Sequence, residues 1–207
     1  MVITDPQNDF LSEKGVVWGL VGESVKENGT IEHLEQLLKS AKAKGFDVFV
    51  SPHYYFPTDQ DWKFGDTVEK MMHEVHMFDR SGQLSLDGFE GSGADWLPVL
   101  APYINDGKTV VASPHKVYGP ESNDLVLQLR KRGKGKVLLG GMSANLCVEA
   151  HLRELLEQGF EVTVVKDATA GARHPELGDG YKAALTNFGF LASGVITTEE
   201  AVQAMGG

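Results

Sequence analysis

The sequence has one cysteine, Cys147, among 207 residues. No intrachain disulfide can form, and the cysteine usage gives no sign of an oxidising compartment. There is also no run of about 18 apolar residues, the length needed for a membrane-spanning helix. No signal peptide is recognisable at the start of the chain. We therefore expect a cytoplasmic protein with no membrane partner.

Basic residues are scarce relative to acidic ones. The chain carries 19 lysines and arginines against 29 aspartates and glutamates, a formal net charge of -10. Most of such a surface repels a polyanion, so nucleic acid is not an expected partner. A glycine-rich phosphate loop of the Walker or dinucleotide type is missing as well.

Short apolar runs alternate with helical stretches along the whole chain. Strands are predicted at 1–4, 46–51, 109–113, 136–140, 161–166 and 195–197. Strands separated by helices indicate a parallel sheet covered by helices on both faces. The first strand is expected to be short, unless residues that normally precede it are absent from this chain. The length suits a single α/β domain over residues 1–207.

Residues 52–108 are long for one crossover connection. They contain several tryptophan, phenylalanine and methionine side chains between glycines and aspartates. We interpret the segment as a lid or an oligomer-contact surface with a short helix near 66–77. A packed surface excursion without a role in substrate binding is the open alternative.

Three residue types suited to catalysis follow predicted strands. Asp5 ends the first strand, where desolvation would make its carboxylate a usable proton acceptor. Lys116 follows the third strand and could hold an anion. Cys147 follows the fourth at the start of a helix, a position that favours thiolate chemistry. Capping by Asp5, a solvated Lys116 and a buried structural Cys147 are the alternatives.

The motifs around these residues resemble the isochorismatase-like cysteine hydrolases, which include nicotinamidases and N-carbamoylsarcosine amidases. The resemblance rests on Asp-Pro-Gln-Asn-Asp-Phe at 5–10, on Lys116, and on Gly-Met-Ser-Ala-Asn-Leu-Cys-Val-Glu-Ala at 141–150. It implies a Rossmann-like three-layer α/β/α sandwich with a six-stranded parallel sheet. It also implies a homodimer or homotetramer.

The resemblance implies a role for each matching residue. Cys147 would attack a carbonyl carbon, Asp5 would take the thiol proton and pass it to the leaving amine, and Lys116 would orient the pair. A cis peptide bond is expected at Met142–Ser143. It would direct the N–H groups of Ser143 and Cys147 at the tetrahedral oxyanion.

Nicotinamidases carry an Asp-x-His metal motif after the second strand, and here the stretch reads Ser51-Pro52-His53. We therefore expect no bound zinc and no other cofactor. His53 is free to contact substrate, although a structural histidine is an equal alternative. The further candidate substrate-binding residues are Gln7, Phe10, Trp18, Tyr54 and Tyr118.

The sequence thus predicts a hydrolase that cleaves a C–N bond of a small amide, ureide or carbamoyl compound through a thioester on Cys147. One alternative is a vinyl-ether hydrolase of the isochorismatase type, in which Asp5 protonates the substrate. Another is a non-catalytic oligomeric binding protein that keeps the three residues without using them.

Overall fold

The computed structural model describes residues 1–206 and contains a six-stranded, wholly parallel sheet. Its strands are β1 (Val2–Thr4), β2 (Phe49–Ser51), β3 (Val110–Val111), β4 (Lys136–Gly141), β5 (Glu161–Thr169) and β8 (Gly194–Ile196). They are ordered β3-β2-β1-β4-β5-β8. This order reverses direction between β1 and β4, where ligands bind in open parallel sheets.

Helices cover both faces of the sheet. They are α1 (Asn8–Leu11), α2 (Trp18–Asn28), α3 (Thr30–Ala43), α4 (Thr67–Glu74), α5 (Ala101–Ile104), α6 (Leu125–Lys131), α7 (Glu149–Glu157), α8 (Gly180–Leu191) and α9 (Thr198–Gly206). A short antiparallel pair, β6 (Arg173–His174) and β7 (Gly178–Asp179), lies outside the sheet. A π-helical turn (Ala144–Val148) leads directly into α7.

Two hydrophobic cores flank the sheet because successive strand residues face opposite sides. In β1, Val2 joins the core made with α6, α7 and α8, whereas Ile3 joins the core made with α2, α3 and α9. The result is a three-layer α/β/α sandwich, and the fold class expected from the sequence is confirmed.

The predicted strands all form, within a few residues of their expected limits. The sequence prediction omitted α2, whose buried residues are small or β-branched and give little helical contrast. The 52–108 segment contains one 3₁₀ turn (Asp59–Asp61), α4 and α5, in agreement with the expected short helix. Within residues 1–206, no helix combines the length and apolar character required to cross a membrane.

Candidate active site

Asp5 sits at the carboxyl end of the central strand β1 with its side chain fully buried. Its backbone adopts φ 45°, in the left-handed region. Few residues other than glycine adopt this region, although aspartate and asparagine do so more readily than most. The backbone N–H of Asp5 donates to the Ser51 carbonyl of β2, at 3.1 Å. The carboxylate is therefore turned out of the sheet and held at the point where the strand order reverses.

Cys147 lies in the π-helical turn after β4, and its side chain approaches the Asp5 carboxylate. The glycine at the end of β4, Gly141, has φ 113°, and a Cβ there would lie 2.1 Å from the Thr4 carbonyl oxygen. Only glycine allows β4 to pass β1 this closely before the chain turns to Cys147. The thiol also faces the Val117 carbonyl, with Sγ at 3.9 Å from the oxygen.

The sequence predicts Lys116 as the cation beside Asp5 and Cys147, and the structure corrects this prediction. The Lys116 ammonium binds the Asp59 carboxylate at 2.5 Å and the Tyr54 carbonyl at 3.1 Å. The group that contacts Asp5 is the imidazole of His115, whose Nε2 lies 2.8 Å from Asp5 Oδ1. Both of these side chains are completely buried.

The pairing of β2 and β3 explains why His115, and not Lys116, contacts Asp5. The two strands continue past their ends into an isolated parallel bridge between His53 and His115. Residues paired in this way point to the same face, and the next residue points to the other. His115 therefore faces Asp5, while Lys116 faces the 52–108 segment. In the sequence, the residue that contacts Asp5 directly precedes the predicted one, in Ser113-Pro114-His115-Lys116.

His53 is the second histidine at Asp5. Its ring lies 4.6 Å from the His115 ring, between centroids, and its Nε2 lies 2.5 Å from the Lys116 carbonyl oxygen. Gln7 holds the backbone here: its amide donates to the His53 and Ala94 carbonyls, and its Oε1 accepts from the His53 N–H. All of the polar atoms of the Gln7 side chain are thus engaged with backbone. The sequence analysis named Gln7 as a candidate substrate-binding residue. In the structure it instead stabilises the backbone beside the site.

His151 is a third buried histidine that sequence reasoning missed. It follows Cys147 by one helical turn, and its Nδ1 lies 2.7 Å from the Cys147 carbonyl oxygen. Its Nε2 lies 2.8 Å from the hydroxyl of Ser51, which also accepts a hydrogen bond from Asn123. The i, i+4 spacing of Cys147 and His151 was the available signal. His151 connects the π-helical turn to the end of β2.

Burial dominates the protonation of the site. It raises the pKa of the Asp5 carboxyl to about 6, with smaller opposing effects from His53, His151 and the Cys147 thiol. It lowers the pKa of His53 and of His115 to about 3, so both rings are neutral near pH 7. Burial, and next the negative charge of Asp5, raises the pKa of the Cys147 thiol well above its usual range. At neutral pH the site therefore holds an ionised carboxylate beside a protonated thiol.

The peptide bond between Met142 and Ser143 is cis, as the resemblance implied. The N–H groups of Ser143 and Cys147 both act on the Cys147 sulfur and lower its pKa. The Ser143 hydroxyl, also buried, has no hydrogen-bond partner among residues 1–206.

The remaining predicted substrate-binding residues divide into two groups. Phe10 lines an apolar cavity together with Ser143, and Tyr118 lies at the surface beside Leu146 and donates its hydroxyl to Asp66. Tyr54 instead packs between Arg80 and Trp96, and Trp18 packs beside Lys26. Val17 and Leu20, rather than Trp18, reach the cavity from that part of the chain. Phe10 and Tyr118 thus line spaces that also include Ser143 or Leu146, whereas Tyr54 and Trp18 line neither of these two spaces.

The apolar cavity has a volume of about 60 Å³ and a purely apolar surface. Its lining includes Ser143, Leu146 of the π-helical turn, and Val68, Met71 and Met72 of α4. The 52–108 segment thus forms one wall of the space beside the turn. Cys147 itself is only 4% exposed.

Four residues have the chemistry and spacing to hold a metal ion. One ligand atom each of Asp5, His53, His115 and Cys147 lies within 4.8 Å of the other three. The Asp-x-His motif of nicotinamidases is not reproduced, since Ser51 stands in place of its aspartate and is bonded to His151 and Asn123.

The sequence of this chain matches a protein-family model and several known proteins. The model of the Isochorismatase domain family matches residues 1–200. The ureidoacrylate amidohydrolase RutB of Methylorubrum extorquens is 26% identical over 211 aligned positions, which cover 98% of this chain and 82% of that protein. An uncharacterised isochorismatase family protein, YecD of Escherichia coli O157:H7, is 43% identical over 49 residues, 24% of this chain and 26% of that protein.

Solved structures share the fold. A cysteine hydrolase from Pseudomonas syringae pv. phaseolicola superposes with a TM-score of 0.79 at 19% identity, covering 99% of this chain and 90% of the other. N-carbamoylsarcosine amidase from Thermoplasma acidophilum superposes with a TM-score of 0.65 at 18% identity, covering 95% and 94%. With the family match over nearly its whole length, the chain belongs to the isochorismatase family and is a hydrolase of that family.

Proposed function

We propose that this protein is an amidohydrolase that cleaves a C–N bond of a small ureide or carbamoyl compound, with Cys147 as its nucleophile. The observation that carries the proposal is the placement of the buried Asp5 carboxylate beside the Cys147 thiol, with a carboxylate oxygen within 4.8 Å of the sulfur. A base, a nucleophile and an oxyanion site at one sheet edge are the parts that acyl transfer requires.

The reaction begins with proton transfer from the thiol to Asp5. A carboxyl with a pKa of about 6 is ionised at neutral pH, yet more basic than an ordinary aspartate. As the proton leaves, Sγ of Cys147 forms a bond to the substrate carbonyl carbon. The carbonyl oxygen becomes an oxyanion, which the N–H groups of Ser143 and Cys147 stabilise.

The acyl-enzyme forms when the C–N bond breaks. Asp5 returns its proton to the departing nitrogen, so ammonia or an amine leaves as a neutral molecule. Water then attacks the thioester carbonyl while Asp5 accepts one of its protons. Collapse of the second tetrahedral intermediate breaks the C–S bond, and the proton on Asp5 returns to the Cys147 sulfur.

His115 is the positioning residue in this scheme. Its neutral imidazole donates from Nε2 to Asp5 Oδ1 and leaves Oδ2 for the thiol. The pair therefore keeps a carboxylate oxygen directed at Cys147 without adding a formal positive charge. This role replaces the one that the sequence assigned to Lys116.

The relatives support the choice of bond and of substrate class. RutB acts on ureidoacrylate and the Thermoplasma enzyme on N-carbamoylsarcosine, both carbamoyl compounds, as their names state. Cleavage of a vinyl ether needs a proton donor and no nucleophilic sulfur. A cysteine in contact with the base therefore favours the C–N bond.

Cys147 is buried, and the apolar cavity beside its turn is small. A volume of about 60 Å³ holds roughly two water molecules, well below the size of most ligand pockets. The α4 helix, which belongs to the 52–108 segment, lines this cavity together with Leu146 of the π-helical turn. We propose that α4 moves away from Leu146 to admit the substrate and closes over it.

The test is a screen for ammonia release over small ureides, carbamoyl amino acids and amides, including ureidoacrylate, N-carbamoylsarcosine and nicotinamide. The Cys147→Ala protein serves as the blank. We expect turnover with at least one carbamoyl compound and none from the variant. A trapped acyl-enzyme on Cys147, seen as a mass increase of the intact chain, would establish the thioester.

Two outcomes would contradict the proposal. Turnover of a vinyl ether that persists in Cys147→Ala would support the ether hydrolase. No turnover across the panel, together with a Cys147 that iodoacetamide does not alkylate, would support the non-catalytic alternative.

A further inference from the structure

The cluster of Asp5, His53, His115 and Cys147 has a property that the proposed hydrolysis does not use. Three of its buried polar atoms have no hydrogen-bond partner among residues 1–206: Asp5 Oδ2, His53 Nδ1 and His115 Nδ1. Buried polar atoms almost always have partners, because leaving one without costs about 1–3 kcal/mol. In the proposed hydrolysis Asp5 Oδ2 serves the Cys147 thiol, but the two imidazole nitrogens have no partner, and an ion bound by the cluster would supply one.

We propose that these four side chains form a binding site for a zinc ion. Two imidazoles, a carboxylate and a thiolate are the donor types that Zn²⁺ takes in proteins. Four ligands at about 2.0–2.3 Å from a tetrahedral ion lie roughly 3.3–3.8 Å from one another. The four donor atoms already lie within 4.8 Å of one another, so small side-chain rotations suffice to bring them to the ion.

The surroundings orient one of the ligands for this role. His53 Nε2 lies 2.5 Å from the Lys116 carbonyl oxygen and must donate its proton there. Its Nδ1, which is buried and has no hydrogen-bond partner among residues 1–206, then carries a lone pair that can bind an ion. A ring nitrogen that donates to a backbone carbonyl while the other binds a metal is the usual outer contact of zinc-bound histidine.

The charge of the site also matches a divalent cation. The carboxylate and the thiolate together supply two negative charges, and the neutral imidazoles supply none. Zn²⁺ bound by these four groups gives a complex with no net charge. A complex without net charge avoids the cost of burying a charge, and the four residues are only 0% to 4% exposed.

This site differs from the Asp-x-His motif that the sequence lacks. That motif would use a residue at position 51, and Ser51 is engaged with His151 and Asn123. The proposed site uses the nucleophile itself: Zn²⁺ displaces the proton from Cys147, forms a Zn–S bond, and the proton leaves to solvent. Zinc binding and acyl transfer would then exclude each other, because both use the Cys147 sulfur. This consequence rests on the proposed function, whereas the proposal of a zinc site does not.

The first test uses Co²⁺ as a spectroscopic substitute for zinc in metal-free protein, without any substrate. We expect one Co²⁺ per chain, strong visible bands of a tetrahedral ion, and an ultraviolet sulfur-to-cobalt charge-transfer band. The Cys147→Ser protein should lose the charge-transfer band, and His53→Ala should bind at least about 10-fold more weakly. The exposed His174 gives the matched control, and His174→Ala should bind as the unaltered protein does.

The second test needs no variant. Zn²⁺ should protect Cys147 of the unaltered protein from alkylation by iodoacetamide, EDTA should remove the protection, and Mg²⁺ should give none. Protection without turnover on any substrate would support the metal site and leave the hydrolase unsupported. Weak octahedral cobalt bands unaffected by Cys147→Ser, or zinc binding that leaves the thiol reactive, would overturn the site whatever the activity.

Discussion

Replacing His115 and Lys116 separately tests which of these neighbours supports the catalytic base. Nε2 of His115 donates to Asp5 Oδ1 at 2.8 Å, and neither side chain is exposed. A hydrogen bond to a charged group in such a place contributes about 2–3 kcal/mol. At about 1.4 kcal/mol per factor of ten, His115→Ala should lower kcat/KM roughly 30- to 150-fold.

Lys116 should behave differently because its ammonium is held by Asp59 and the Tyr54 carbonyl. The ion pair is partly exposed and contributes on the order of 1 kcal/mol to stability. Lys116→Met should therefore change kcat/KM by less than about threefold. The assay is ammonia release from the best carbamoyl substrate, with Cys147→Ala as the blank and thermal denaturation as the check on folding.

His115→Gln distinguishes positioning from simple packing. A glutamine amide can place an N–H donor near the position of Nε2, so this variant should recover part of the activity that His115→Ala loses. A merely structural role would show no such difference between two equally stable variants. Loss of turnover in Lys116→Met with normal turnover in His115→Ala would refute the reasoning from strand register.

Three further predictions concern stability and assembly. Gly141→Ala should lower the free energy of unfolding by about 3 kcal/mol, or Tm by roughly 6–12 °C, because its Cβ would clash with the β1 backbone. Gly189→Ala should not lower the free energy of unfolding, because a Cβ at this position in α8 would meet no other atom within 4 Å. Differential scanning calorimetry checks both variants. Burial raises the pKa of Asp106, but bonds from Lys42 and two N–H groups leave it well below 3.8. The ionised form thus stabilises the fold above that value, so urea unfolding should show Asp106→Asn about 1 kcal/mol less stable at pH 7, with the difference lost as pH falls below about 3.8. Light scattering should give a homodimer or homotetramer, since the 52–108 segment exposes large apolar side chains, and a monomer would contradict this.

The sequence predicted the sheet well because its four inner strands, β1, β2, β4 and β5, are largely buried. The run Val162-Thr163-Val164-Val165, for example, consists of β-branched residues and is bounded by the charged residues Glu161 and Lys166. The positions of Asp5 and Cys147 followed from the ends of β1 and β4. Tertiary packing decided the rest of the site.

The neighbour of Asp5 could not be predicted from the sequence, which indicated Lys116 where the structure has His115. A sequence does not specify the register of two strands past the end of their regular pairing, and a shift of one residue exchanges the two faces. The bridge between His53 and His115 sets that register here. Gln7 was assigned to the substrate for a related reason, since its backbone partners, His53 and Ala94, lie far from it in the chain.

The place of β3 in the sheet has a consequence for how the molecule would lose activity. β3 is an edge strand with only two paired residues, and it carries the segment that delivers His115 to Asp5. Short edge elements open at lower free energy than central strands. Amide hydrogens at 110–115 should therefore exchange with deuterium well before those of β4, and gentle warming should detach the imidazole from its carboxylate while most of the domain stays folded.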